Sequence, residues 1–168
     1  VLNIPQQKVW LVFRNYHLDW QGQELTHILQ RVQQWENAGN HIQGIQIDFD
    51  AKTKHIQQYA LFLSQLRKQL PQDYQLSITG LMDWTNVTNQ ETLNLLNNTI
   101  DELVIQTYQG STTIPNYAAY LKKVSALKLP YKIGIAQYGE WHRPPKLEND
   151  TNFKGYVVFL LRSKPQNN

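Results

Sequence analysis

From residue 8 to residue 138, two kinds of segment take strict turns along the chain. Short runs of alternating apolar residues give way to longer runs with apolar residues every three or four positions. The first kind predicts strands at 8–15, 43–50, 75–81, 102–108 and 131–138; the second predicts helices at 21–38, 53–70, 89–100 and 115–127. Leu25, Ile28, Leu29, Val32 and Trp35 make the stripe of the first helix, and Gly39 follows its end. Ile56, Tyr59, Ala60, Leu63, Leu66 and Leu70 make the second stripe, which Pro71 closes, and Pro115 suits the first turn of the fourth helix. At 139–152 the alternation lapses. Pro144-Pro145 and the lack of a stripe predict a long loop there, before a last apolar strand at 155–161.

Strands that alternate with helices pair in parallel through right-handed crossovers, so the fold class is α/β with a mostly parallel sheet. Two architectures compete. A doubly wound sheet usually carries a Gly-rich phosphate turn, and no junction here has GxGxxG or a P-loop. An eight-stranded (β/α) barrel takes about 200 residues or more, and the chain has 168. Residues 1–168 are expected to form a single domain.

Composition narrows the function. The chain is 41% hydrophobic with five Trp, which suits a packed core. Net charge is +3, but the basic residues are scattered and not interleaved with aromatics, which argues against nucleic acid as a partner. No apolar run approaches the ~18 residues of a bilayer span. The absence of Cys removes disulfides, thiolate metal sites and Cys nucleophiles. The five His show no metal-ligand spacing, and no cofactor motif is present. A first residue of Val1 is expected from a trimmed N-terminus.

The strand at 43–50 carries the chemistry. Ile45, Ile47 and Phe49 share one face; Gln46, Asp48 and Asp50 share the other. Carboxylates on an otherwise buried strand cost several kcal/mol, roughly, unless they are paired, solvated or used. The same period places Arg14, Gln106, Tyr108 and Tyr138 toward the carboxyl ends of their strands, and Asp83 and Trp84 follow the third. Trp141, on the loop after the fifth strand, is a further candidate for the rim of a cleft. In parallel α/β folds those strand ends form the ligand crevice. A structural reading stands beside the functional one: Arg14 neutralises Asp48 or Asp50, and Tyr hydroxyls complete the hydrogen bonds.

Gly44-Ile45-Gln46-Ile47-Asp48-Phe49-Asp50 resembles the DGxDxDxE strand of family-18, chitinase-like glycoside hydrolases. Val104–Tyr108 looks like that family's M-x-Y strand, and Gly134–Gly139 like its G-x-P-x-Y-G strand. More closely, the run from Asp48 through Trp84 resembles an uncharacterised bacterial domain family. Its pattern is a D-x-D strand, a helix Y-x-x-F-L-x-x-L-R-x-x-L-P (here Tyr59 to Pro71), then L-S-I-T-x-L-x-x-W (Leu76 to Trp84). Asp101-Glu102-Leu103-Val104-Ile105-Gln106 matches its D-E-V-V-L-Q segment. These likenesses imply a TIM-barrel-related (β/α) fold with about six parallel strands and the first two absent. An open parallel edge would then be an association hazard, and pairing of copies through it is an expectation.

The chitinase-like resemblance implies roles as well. Asp50 would protonate the leaving oxygen, Asp48 would steer a substrate acetamido group, and Tyr108 would help hold it, a route outside the two-carboxylate scheme. Arg14, Gln46, Asp83, Trp84, Gln106, Tyr138 and Trp141 would contact a glycan. Several positions depart from the pattern: Asp50 stands for Glu, Gln46 for Asp, Gln106 for Met and Ala136 for Pro. Three readings stay open: a carbohydrate-active hydrolase, a non-catalytic sugar-binding or envelope protein, and a divalent-cation site at Asp48-x-Asp50. The implied setting is the bacterial cell envelope, periplasmic or secreted.

Overall fold

Ile45, Ile47, Leu76, Ile78, Leu103 and Ile105 are fully buried, two from each of three neighbouring strands. They form the floor on which the helices pack. In the computed structural model the described residues are 1–14, 22–49, 55–80, 89–109, 112–113, 128–143 and 147–160; the side chains of 22–24, 108–109 and 112–113 are outside the description. The elements run β1 (Lys8–Arg14), α1 (Gly22–Asn37), β2 (His41–Asp48), α2 (Ile56–Gln69), β3 (Gln75–Gly80), α3 (Gln90–Thr99) and β4 (Glu102–Gln106). A small hairpin, β5 (Tyr108–Gln109) and β6 (Thr112–Thr113), precedes β7 (Tyr131–Ala136) and β8 (Phe153–Phe159). The helix expected at 115–127 lies outside the described residues.

The main sheet has the order β1-β2-β3-β4-β7-β8, and every neighbouring pair is parallel. That order settles the competition between architectures. A doubly wound sheet reverses its strand order at a switch point, whereas here order in space follows order in sequence. The result is a curled half-barrel, an incomplete α/β barrel.

Each of the three described helices forms where the sequence predicts it. On α1, Ile28 and Val32 are buried, and Gly39 follows at φ 95°, a conformation that glycine adopts without Cβ strain. Asn40 then ties the N-terminal segment down: its amide donates to the carbonyls of Leu2 (2.7 Å) and Trp35 (3.0 Å) and its oxygen accepts from Ile4 N–H (2.7 Å). On α2, Ile56, Tyr59, Ala60, Leu63 and Leu66 are buried, while Arg67 caps the turn after the helix through the carbonyls of Pro71 and Tyr74. The Asn89 side chain accepts from Thr92 N–H at 3.0 Å and starts α3. Asp101 locks β3 to the start of β4 by accepting from Leu76 N–H at 2.7 Å and donating its own N–H to the Leu76 carbonyl.

In the connection from β7 to β8, the described residues 137–143 and 147–152 hold a 3-10 turn at Leu147–Asn149 and no α-helix, while Pro144 and Pro145 lie outside the described residues. Aromatic packing takes the place of a helix there. Tyr131 meets Phe153 at 5.7 Å, Phe153 meets Tyr156 edge-on at 5.2 Å, and Tyr156 meets Trp141 edge-on at 5.6 Å. Among the described residues no helix is long and apolar enough to cross a membrane.

Candidate functional site on the inner face

Strand register fixes which side chains share the face opposite the helices. Val12 aligns with Gln46 and Arg14 with Asp48; Gln46 aligns with Ser77; Ser77 with Glu102 and Thr79 with Val104; Val104 with Lys132 and Gln106 with Gly134. A closed barrel fills this face with bulky branched residues. Here it is mostly polar.

Two hydrogen-bonded rows cross it. In the upper row, at the carboxyl end of β2, Oδ1 of Asp48 accepts from Arg14 Nη1 at 2.9 Å and from Thr79 Oγ1 at 3.0 Å. The donors come from the strands on either side of β2. In the lower row, Gln46 Nε2 donates to Ser77 Oγ (3.0 Å), Ser77 Oγ donates to Glu102 Oε1 (3.2 Å), and Lys132 Nζ pairs with Glu102 Oε2 (2.8 Å). Gln46, Ser77 and Thr79 are buried, so these bonds meet the requirement that buried polar groups find partners. Asp48 and Arg14 keep 26% and 38% of their side-chain surface, which leaves the upper row open to a ligand.

Strand β2 can carry this row because Gly44 lets it approach β3 closely. A Cβ there would stand 2.1 Å from the Gln75 carbonyl oxygen. On the helix side, Phe49 and Tyr59 pack at 5.1 Å, and the Tyr59 hydroxyl is held protonated well above its ordinary range, first by burial and then by the charge of Asp48.

The sequence-predicted residues fall into distinct places. Arg14, Asp48 and Gln46 lie on the inner face, as the period-two reading expects. Arg14 is engaged with Asp48, which is the structural alternative the sequence left open. Gln106 is half-buried, at the end of β4, beside Gly134. Tyr138 lies past the end of β7 in a turn closed by Gly139 N–H and the Ala136 carbonyl, with φ 65° and 60% of its surface exposed. Strand alternation therefore does not carry that far. Trp141 packs on Tyr156, whose register partner is Ile133, a core residue on the helix side of the sheet. Tyr108 belongs to the small hairpin rather than to a continued β4, and its side chain is outside the description; Asp50, Asp83 and Trp84 lie outside the described residues.

Sequence reasoning passed over Ser77, Thr79, Glu102 and Lys132. The signal was there. Ser77 and Thr79 alternate with Leu76 and Ile78, so the period that placed Asp48 places them as well. Among the described residues, no group of three or more His, Asp and Glu side chains is arranged to hold a metal ion.

Fold and inner face together define an incomplete (β/α) barrel with a mostly polar inner face. Residues 16–120 match the family described as a domain of unknown function, DUF3142, and the chain belongs to that family. Among solved structures it is similar to the spore cortex-lytic enzyme SleL of Bacillus cereus, at 20% identity and a TM-score of 0.54. The match covers 78% of this chain and 36% of SleL, so the chain spans little more than a third of that enzyme. No curated protein is significantly similar in sequence.

Proposed function

We propose that this chain handles an envelope glycan at the carboxyl-end rim of its inner face, with Asp48 as the principal acceptor for the sugar's polar groups. The observation that carries the reading is the Asp48 carboxylate, held through one oxygen by Arg14 and Thr79 while part of it stays in water. In (β/α) barrels this end of the sheet is where ligands bind. SleL, by its name a spore cortex-lytic enzyme, supports an envelope layer as the ligand's source. A periplasmic or secreted setting goes with that ligand.

In the hydrolytic form of the reading, the chitinase-like motif gives Asp50 the proton for the leaving oxygen and Asp48 the steering of an acetamido group. Asp48 suits that part, since a carboxylate already accepting two hydrogen bonds acts as an acceptor and electrostatic partner. A second reading, sugar binding without turnover, is favoured by the Arg14–Asp48 pair, which gives the acid a resident counter-charge. Product analysis and calorimetry with chitin oligomers and soluble peptidoglycan fragments separate the two. Loss of cleavage in Asp50→Asn with binding kept supports the hydrolase. Binding with no cleavage by the unmodified chain supports the binder, and no binding of any such glycan removes both.

A further inference from the structure

We infer that Thr79 is a positioning residue for Asp48, fixing the plane and direction in which the second carboxylate oxygen meets a glycan; the inference rests on the reading of Asp48 as the sugar acceptor. Arg14 and Thr79 approach from opposite neighbouring strands and both bond Oδ1. Among the described residues, no hydrogen bond falls on Oδ2. The terminal torsion of an Asp side chain is broad, so a carboxylate held by one donor can swing its plane and the direction of its second oxygen. Two donors on the same atom remove that freedom. Oδ1 is committed to the protein, and Oδ2 is the atom presented to a ligand.

The two donors are unequal. Arg14 sits on the edge strand and is more than a third exposed, with its charge at the end of a long side chain. Thr79 is 2% exposed on an interior strand, and its β-branched side chain has few rotamers. The rigid, buried donor defines the geometry, and the exposed one supplies charge. Such pre-orientation removes an ordering cost from binding, which is how a residue that never touches the sugar alters its affinity.

The test uses the full chain with 13C-labelled Asp, the Asp48 carboxyl signal being assigned by its loss in Asp48→Asn. Thr79→Val keeps the shape and removes the hydroxyl; Thr79→Ser keeps the hydroxyl. Thr79→Val should move the Asp48 carboxyl resonance at constant pH and weaken binding of an N-acetylglucosamine tetramer by up to about tenfold, the cost of ordering one side chain on binding. Thr79→Ser should restore both. An unmoved Asp48 resonance in Thr79→Val overturns the inference, as does a moved resonance with unchanged tetramer affinity. If the unmodified chain binds neither the tetramer nor soluble peptidoglycan fragments, the proposed function falls, and the carboxyl resonance still decides whether Thr79 orients Asp48; if it binds only the fragments, they replace the tetramer as the probe. Should Thr79→Val unfold, Thr79→Ala carries the same two readouts.

Discussion

Nη1 of Arg14 lies 2.9 Å from Oδ1 of Asp48, joining the edge strand β1 to β2. Both side chains remain partly in water, so the pair is screened and stabilises the fold weakly. Arg14→Met should therefore lower unfolding free energy by less than about 1 kcal/mol, read from urea midpoints. Glycan affinity should fall far more than stability, because the charge beside the acid is gone. A variant that loses both in proportion would mark the pair as structural only.

Gly44 has a different standing. Its missing Cβ would stand 2.1 Å from the Gln75 oxygen and 2.8 Å from the Gln75 nitrogen, both backbone atoms. Backbone cannot swing aside as a side chain does. Gly44→Ala should cost about 3 kcal/mol or more, seen as a marked fall in melting temperature. A melting temperature within a degree or two of the unmodified chain, roughly, would contradict the close approach of β2 to β3.

The Glu102–Lys132 pair makes a contrasting case, since its side chains are only 14% and 28% exposed. Removing one partner leaves the other charge poorly solvated. Lys132→Met should thus destabilise by about 1–3 kcal/mol, less than for a fully buried pair. The double variant Glu102→Leu/Lys132→Met should be closer to the original chain than Lys132→Met alone. Additive losses in that double-mutant cycle would argue that the pair is uncoupled.

Alkaline pH reads three phenols, Tyr59 and Tyr131 buried and Tyr74 half-buried. Tyr74 is pushed up to about 12 from an ordinary 10.0, by burial first and then by its hydrogen bond to Glu36; Tyr59 and Tyr131 are raised further, chiefly by burial. Each keeps its proton in the folded chain at a pH where the unfolded chain is already losing it. Their contribution is intact below the ordinary 10.0 and is lost as pH rises beyond it, Tyr74 ceasing to add to the loss above about 12. For Tyr59 the slope approaches about 1.4 kcal/mol per pH unit. Urea midpoints at about pH 9 and about pH 11 should drop in the unmodified chain and drop less in Tyr59→Phe. Equal drops would place Tyr59 outside the core.

The sequence displayed most of this fold because its helices and sheet strands bury one face and say so in their periods. Ile45 and Ile47 alternate with Gln46 and Asp48, and the structure keeps that division. Strand ends were harder. Period-two alternation extended through Tyr108 and Tyr138, but β4 stops at Gln106 and β7 at Ala136. A turn changes the backbone direction without changing the polarity pattern, so alternation alone does not reveal it. The hairpin did leave a trace, Gly110-Ser111 before the β-branched Thr112-Thr113. The partners within the site were not legible: a sequence says that Arg14, Asp48 and Thr79 share a face, and only register says that they meet at one oxygen.

Calorimetric titration of N-acetylglucosamine oligomers and soluble peptidoglycan fragments into the unmodified chain and into Asp48→Asn decides whether the Asp48 carboxylate receives a sugar. Saturable heat is expected with at least one of these sugars, weakened by about tenfold or more in Asp48→Asn, with the melting temperature little changed. Equal affinity in the two proteins would contradict that role, because the ligand would then be seated somewhere other than this carboxylate.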